Sequence, residues 1–242
     1  MTPGFAQSRD QLPWLYYPKS DRVIINAHNF TPAYSPAVNG KIPVAAWIPT
    51  RTQSANDLVG SNNGTLTNGA SIASTSGAGG TDAFLFDGVN DYVSFSNLSS
   101  MSAWSMSAWL YSTAATSYPV PLSFTIGATA GNGIAGNGST LWCPLQADAI
   151  AANKSRTRTQ NVWQHAVATW TGSVLSIYVN TTIGSTGGGG GGYAVSGSRL
   201  GDGYLTGKYK GYIDDVRIWN QVIDATDIAS LYASGLGRGI AA

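Results

Sequence analysis

The chain has 242 residues, a formal net charge of +1 and one cysteine. That length suits a single large β domain, the near-neutral charge gives no field to draw in nucleic acid or an anionic membrane, and a lone thiol excludes an internal disulfide. No run is long and apolar enough for a transmembrane helix.

Residues 1–44 read as an extended arm. Pro3, Pro13, Pro18, Pro32, Pro36 and Pro43 block helix and central strand, while Phe5, Trp14, Tyr16, Tyr17, Phe30 and Tyr34 gain from burial in a way a disordered leader would not. The arm is expected to dock, on its own domain or, because the domain that follows is complete without it, on another subunit. Val23–Asn26 could add as an edge strand in either place. The first residues lack a basic n-region and an apolar h-region, so no Sec signal peptide is expected.

From residue 45 to 242 the apolar residues fall in short alternating runs separated by Gly, Asn, Ser and Thr, which predicts an antiparallel β-sandwich or barrel. Ala83–Phe95 reads as a hairpin around the DGVND turn, and Ser105–Thr113 as a strand. Gly127–Thr140 reads as a polar Gly and Asn loop, with LWCPL after it. Trp142 and Tyr118 could stack on a sugar there, with Asn132 and Asn137 as polar contacts; the alternative is that Trp142 packs in the core and the loop is a connector. Cys143 reads as a small buried hydrophobe, since no motif places His28 or His165 beside it. Lys154, Arg156 and Arg158 form a basic knot, read as a solvated strand edge.

In Trp163–Trp170 both strand faces are mixed, as for a strand covered on both sides. The six glycines Gly187–Gly192 carry a large ordering cost and are either a flexible excursion or a backbone threaded against a neighbouring subunit. In the last strand Tyr212, Asp214, Val216 and Ile218 should share one face and Ile213, Asp215, Arg217 and Trp219 the other. One helix follows, with Asp224 as N-cap, Asp227 at the third helical position, Ile228 and Leu231 inward, and Gly235 as a left-handed stop.

Five blocks carry a resemblance to a known family. YKGYIDDVRIWNQVIDATDIASLYASG is similar to the closing strand and tail helix of laminin G-like domains of the concanavalin A-like lectin and glucanase superfamily, with Asp227 where that family usually has Glu. AFLFDGVNDYVSF resembles its early hairpin, SMSAWLYST its next strand, VWQHAVATWTGSVLSIYVN its paired strands, and AAWIPTRTQSANDLVGSNNGTLTNGA its opening strand and loop. The resemblance spans about Ala45 to Gly235 and implies an all-β jelly-roll sandwich with one short C-terminal helix.

All 12 acidic residues are Asp. Glucanases of the superfamily that this chain resembles use two Glu on one strand, a motif this chain cannot form. Asp214 and Asp215 are adjacent, and neighbours on a regular strand cannot flank one glycosidic bond. No catalytic residues are expected. The resemblance does imply a structural calcium in many relatives, with Asp214 as the matching ligand; Asp87 and Asp91 could add oxygens, or could simply fix their hairpin turn.

The expectation is a non-enzymatic structural subunit of an external assembly, such as a bacteriophage virion decoration or appendage protein. Its arm would hold other copies of itself or a capsid protein, and its sandwich would face outward towards host glycans. The alternative is a free, extracellular carbohydrate-binding module; a glycoside hydrolase ranks third. Neither nucleic acid nor membrane is an expected partner.

Overall fold

Period-two alternation yields eighteen strands and one helix among the described residues of the computed structural model, which are 22–23, 33–34, 36–49, 54–114, 119–127, 129–137, 140–142, 154–186, 197–202 and 208–236. In chain order the strands are β1 (Arg22–Val23), β2 (Ala33–Tyr34), β3 (Ala45–Trp47), β4 (Thr65–Thr67), β5 (Ser71–Ala73), β6 (Ala83–Asp87), β7 (Tyr92–Phe95), β8 (Trp104–Ser112) and β9 (Leu122–Ile126). They continue as β10 (Thr129–Asn137), β11 (Thr140–Trp142), β12 (Lys154–Thr157), β13 (Trp163–Trp170), β14 (Leu175–Val179), β15 (Thr182–Ile183), β16 (Ser185–Thr186), β17 (Ser198–Leu200) and β18 (Lys210–Trp219), and the helix α1 is Ala225–Leu236.

Two compact units divide the chain, Met1–Ser35 and Pro36–Ala242. Of the first, β1 and β2 are described. They pair antiparallel with Val23 opposite Ala33, so Val23 is matched within the arm. Phe5, Trp14, Tyr16, Tyr17, Phe30 and the Tyr34 side chain lie outside the described residues.

The boundary expected at residue 44 moves back to Pro36. Val38 is buried among the helix-side apolar residues, Lys41 donates to Asp224 at 2.9 Å and to Asp227, and the Lys41 carbonyl accepts from the Trp219 indole at 3.1 Å. Residues 36–44 are therefore part of the sandwich.

The second unit has two antiparallel sheets. The first runs β16-β12-β11-β10-β9-β17-β7-β4, and the second runs β15-β14-β13-β8-β18-β6-β5, with β3 also paired to β18. The all-β sandwich with one short helix is the fold expected from the sequence. Between the sheets Trp47 stacks on Phe124, 5.6 Å between centroids at 12°, and lies 4.3 Å from Phe95. Rings so packed add about 0.5–1.5 kcal/mol per pair beyond their area burial. Trp104, Met106, Ala108 and Leu110 of β8 face this core, which leaves Ser105, Ser107, Trp109 and Tyr111 on the outer face.

Part of that outer face is roofed by α1. Asp224 Oδ1 accepts from Thr226 N and Asp227 N, and Asp227 Oδ2 accepts from Asp224 N at 2.8 Å, a reciprocal cap of the expected kind. Ile228 and Leu231 pack on Val167 and Trp219. Tyr232 stacks on Trp109 at 5.6 Å and 14°. Gly235 is a helical residue, not a left-handed stop: a Cβ there would run into the Trp109 indole, so its absence lets the helix lie close.

The expected alternation along β18 breaks at one place. Its register against β8 shifts between Asp214 and Arg217, and Asp215 has φ of 49°. One extra residue is inserted, a β-bulge, and the phase of everything after it flips. Ile213, Val216 and Ile218 consequently all face the core, while Trp219 faces the helix. Arg217 holds the bulge with Nε to Asp215 Oδ1 at 2.5 Å, its second nitrogen to Oδ2 at 2.9 Å, and its third to the Pro36 carbonyl at 2.9 Å.

Gly127–Thr140, expected as a loop, is mostly strand. β10 pairs with both β9 and β11, with an irregularity between Thr129 and Asn132. Gly133 sits where a Cβ would strike the Leu122 carbonyl, so the glycines read as turn signals serve close strand approach.

Candidate functional site

Beyond the helix the outer face of the second sheet carries a row that crosses five strands. Ser71 on β5 is opposite Leu85 on β6, Leu85 opposite Tyr212 on β18, Tyr212 opposite Tyr111 on β8, and Tyr111 opposite Trp163 on β13. Ser71 is exposed and the other four are half-buried. The rings touch: Tyr111 to Tyr212 is 5.8 Å at 73°, and Tyr111 to Trp163 is 5.5 Å at 57°. Each ring stands on the face opposite the core residues that flank it, so alternation alone puts it outside.

At the β6 end the row opens into a depression of about 370 Å³, lined by Asn68, Leu85, Asp87, Asp91, Lys210 and Tyr212 among others. Asp91 Oδ2 accepts from Asp87 N at 2.9 Å and Asp87 Oδ1 from Val89 N at 2.7 Å, so both carboxylates shape the hairpin turn. Burial, and then the neighbouring Asp87 charge, hold the Asp91 carboxyl above its ordinary value.

In the next row along the same face, opposite Trp109, Asp214 is fully buried. Its Oδ2 accepts from Ala78 N at 3.1 Å and the Thr81 hydroxyl at 2.6 Å, clasping the Gly77–Thr81 turn. His165 lies in the same layer, 5.2 Å from the Trp109 ring and buried.

A family model described as the concanavalin A-like lectin/glucanases superfamily matches residues 87–229, more than half of the chain. The chain belongs to that superfamily. No curated protein sequence matches the chain. Among solved structures, this lectin-like sandwich is similar to domain 4 of AbnA, an extracellular arabinanase from Geobacillus stearothermophilus solved with arabinotriose, at TM-score 0.59 and 16% identity over 78% of this chain and 98% of that one. It is similar to the binding domain of Paraclostridial Mosquitocidal Protein 1 at TM-score 0.60 and 13% identity, over 79% of this chain and 52% of that one. It is also similar to the sialidase of Trypanosoma rangeli at TM-score 0.57 and 12% identity, over 90% of this chain and 36% of that one. The chain thus spans about half of the toxin domain and about a third of the sialidase, and likeness at these identities establishes the fold alone.

Within this superfamily fold the calcium candidates do not converge. Lys210 pairs with Asp87, and Asp214 lies four residues further along β18, roughly 13 Å at the usual strand rise. Among the described residues no group of three acidic, His or Cys side chains gathers. Asp214 Oδ2 is occupied by the Ala78 amide and the Thr81 hydroxyl, so Asp214 and the Asp87–Asp91 pair do not form one calcium site.

Of the glycan candidates, Asn132 is buried, with Nδ2 towards the Phe124 carbonyl at 3.5 Å, and is withdrawn from any surface a sugar reaches. Trp142 belongs to β11 and Asn137 to β10, with side chains outside the described residues, as are Tyr118, Cys143 and Gly187–Gly192 altogether. Arg158, read as solvated, is buried near Tyr209; burial pulls its guanidinium down and pushes the Tyr209 hydroxyl up. The row itself escaped sequence reasoning, although Tyr111, Trp163 and Tyr212 all stand on the non-core phase of recognised strands.

Proposed function

We propose that the chain is a non-catalytic, carbohydrate-binding sandwich displayed on an external assembly, with the Leu85–Tyr212–Tyr111–Trp163 row as its sugar-facing surface. The observation that carries this reading is the uncovered aromatic row running into a polar depression: stacking faces beside a few convergent polar groups are what a sugar ring needs. The rings are steeply tilted, so the row is a corrugated wall. Such a wall suits single soluble chains better than the flat surface of a packed polysaccharide.

A non-enzymatic role fits the acids. Asp215 is bound to Arg217, Asp214 to Thr81 and Ala78, and there is no Glu in the sequence; the two carboxylates that line the depression, Asp87 and Asp91, are tied into their hairpin turn by backbone amides. The superfamily and the AbnA domain solved with arabinotriose support a sugar as ligand. The aromatic arm supports a subunit anchored to its own copies or to a capsid or appendage protein, a virion surface being the setting that the sequence expectation names.

The test is titration calorimetry of the full chain with uncharged trisaccharides, beside Tyr111→Ala and Trp163→Ala. Both residues are half-buried surface positions, so the fold should persist. Loss of about 1–3 kcal/mol of binding free energy in each is expected from a lost stacking face. Sugar binding that ignores both substitutions would overturn the assignment of the row.

A further inference from the structure

The aromatic row lies on a ledge whose two long sides differ. Two places along the strands on one side, Trp109, His165 and Asp214 are buried. They are covered by the C-terminal half of α1, where Tyr232 stacks on Trp109 at 5.6 Å and lies 6.4 Å from the His165 ring, and by the Gly77–Thr81 turn that Asp214 clasps. That side is a wall. Two places along on the other side stand Thr113 just after β8, Lys210 on β18 and Asp87 on β6, in phase with Tyr111, Tyr212 and Leu85 and all exposed. Lys210 is opposite Asp87, and its carbonyl accepts from Thr113 N at 3.0 Å, so the three make a second line parallel to the first. Members of both lines border the depression.

We propose that the ligand is a stretch of at least three sugars of a neutral oligosaccharide, laid across the strands along this ledge, with the Thr113 hydroxyl and the Lys210 ammonium binding the hydroxyls of its outer edge. The inference rests on the carbohydrate-binding reading and deepens it by fixing the ligand's direction, length and hydrogen-bonding edge. The wall stops a chain from running along the strands past Trp109. Crosswise, Leu85 to Trp163 covers β6, β18, β8 and β13, or about 14 Å at the usual strand spacing, room for about three sugar rings. Both ends are open. β5 is the edge strand of its sheet with Ser71 exposed, and β14 pairs with β13 only from Ala166 onward, so among the described residues no strand flanks Trp163 on its far side. Longer chains therefore fit as well. Along the outer line Lys210 offers N–H donors and Thr113 both a donor and an acceptor, the partners that a hydroxyl takes. Lys210 and Asp87 carry opposite charges side by side, so the line has no net charge with which to select a charged sugar.

The test is calorimetry on the full chain with arabino-, cello- and malto-oligosaccharides, each series running from the monosaccharide to the hexasaccharide, repeated with Lys210→Met and Thr113→Val. Both are exposed positions, so their replacement leaves the core untouched. In at least one series affinity should climb to the trisaccharide and then level off. Binding of that trisaccharide should weaken about tenfold in Lys210→Met and about threefold in Thr113→Val, as for loss of a charged and of a neutral hydrogen bond. The ledge is overturned if the monosaccharide binds as tightly as the trisaccharide, if the hexasaccharide is rejected where the trisaccharide binds, or if both variants bind within about twofold of the unaltered chain. Where Tyr111→Ala and Trp163→Ala still weaken binding in those cases, the row stands without the ledge. If no member of any series binds the unaltered chain, the carbohydrate-binding reading fails, and the ledge with it.

Discussion

The Asp91 and Asp224 carboxyls are shifted in opposite directions, and acid should separate them. Burial raises the Asp91 carboxyl, so its contribution to stability is complete below the ordinary carboxylate value and is lost as pH rises through its own higher one. At neutrality its charge is a cost to the fold. Asp91→Asn should therefore melt higher than the unaltered chain at pH 7, with the difference closing as the buffer is acidified through the carboxylate range, followed by circular dichroism. Asp224 runs the other way. The Lys41 ammonium beside it, and then the Asp227 amide, hold its carboxyl low, so its contribution is complete above the ordinary value and is lost as pH falls through the lowered one. Asp224→Asn should lower the melting temperature at pH 7 and matter progressively less in acid; a penalty that persisted once the carboxyl was protonated would point to the cap geometry instead of the charge.

At the scale of elements, the bulge in β18 decides which residues the last strand gives to the core. Its clamp is a buried bidentate pair, and removing the guanidinium from beside a buried carboxylate costs about 3–5 kcal/mol. Arg217→Met should show that loss in urea unfolding, together with release of Pro36. A loss under 1 kcal/mol would mean that the bulge is held by its backbone alone. The same bulge marks where sequence reading stopped. The strand, the helix with its Asp224 and Asp227 cap, and the two-sided burial of Trp163–Trp170 were all legible, because each depends on local pattern. The phase after Asp215 was not, because nothing in IDDVRIW announces an inserted residue, and period-two counting then put Ile213 on the face opposite Val216 and Ile218. β10 was missed for a related reason: glycines at Gly133 and Gly136 look like turns until the neighbouring backbone is known to press on them. The aromatic row is a property of register across β6, β18, β8 and β13, so its members were visible singly and their adjacency was not.

For the whole molecule, the break between Met1–Ser35 and Pro36–Ala242 is the place to separate assembly from folding. A chain beginning at Pro36 retains Val38, Lys41 and the Pro36 carbonyl that accepts from Arg217, so it should fold and bind sugar like the full chain. Light scattering at several concentrations should find the full chain assembled and the shortened one monomeric. Two monomers would assign the arm to its own domain, and two assemblies would assign the contacts to the sandwich.

The central position of β18 also sets when this protein becomes a protein. The strand lies between β8 on one side and β3 and β6 on the other, yet it begins only at Lys210. Until the ribosome has delivered it, β3, β5 and β6 have no route into their sheet, and the inner faces of both sheets lack their middle. Folding of the sandwich therefore waits for β18 and is dominated by long-range pairing, which is slow. A nascent chain halted before Lys210 would expose unpaired apolar strands to the cell, the state most prone to aggregate or to need a chaperone.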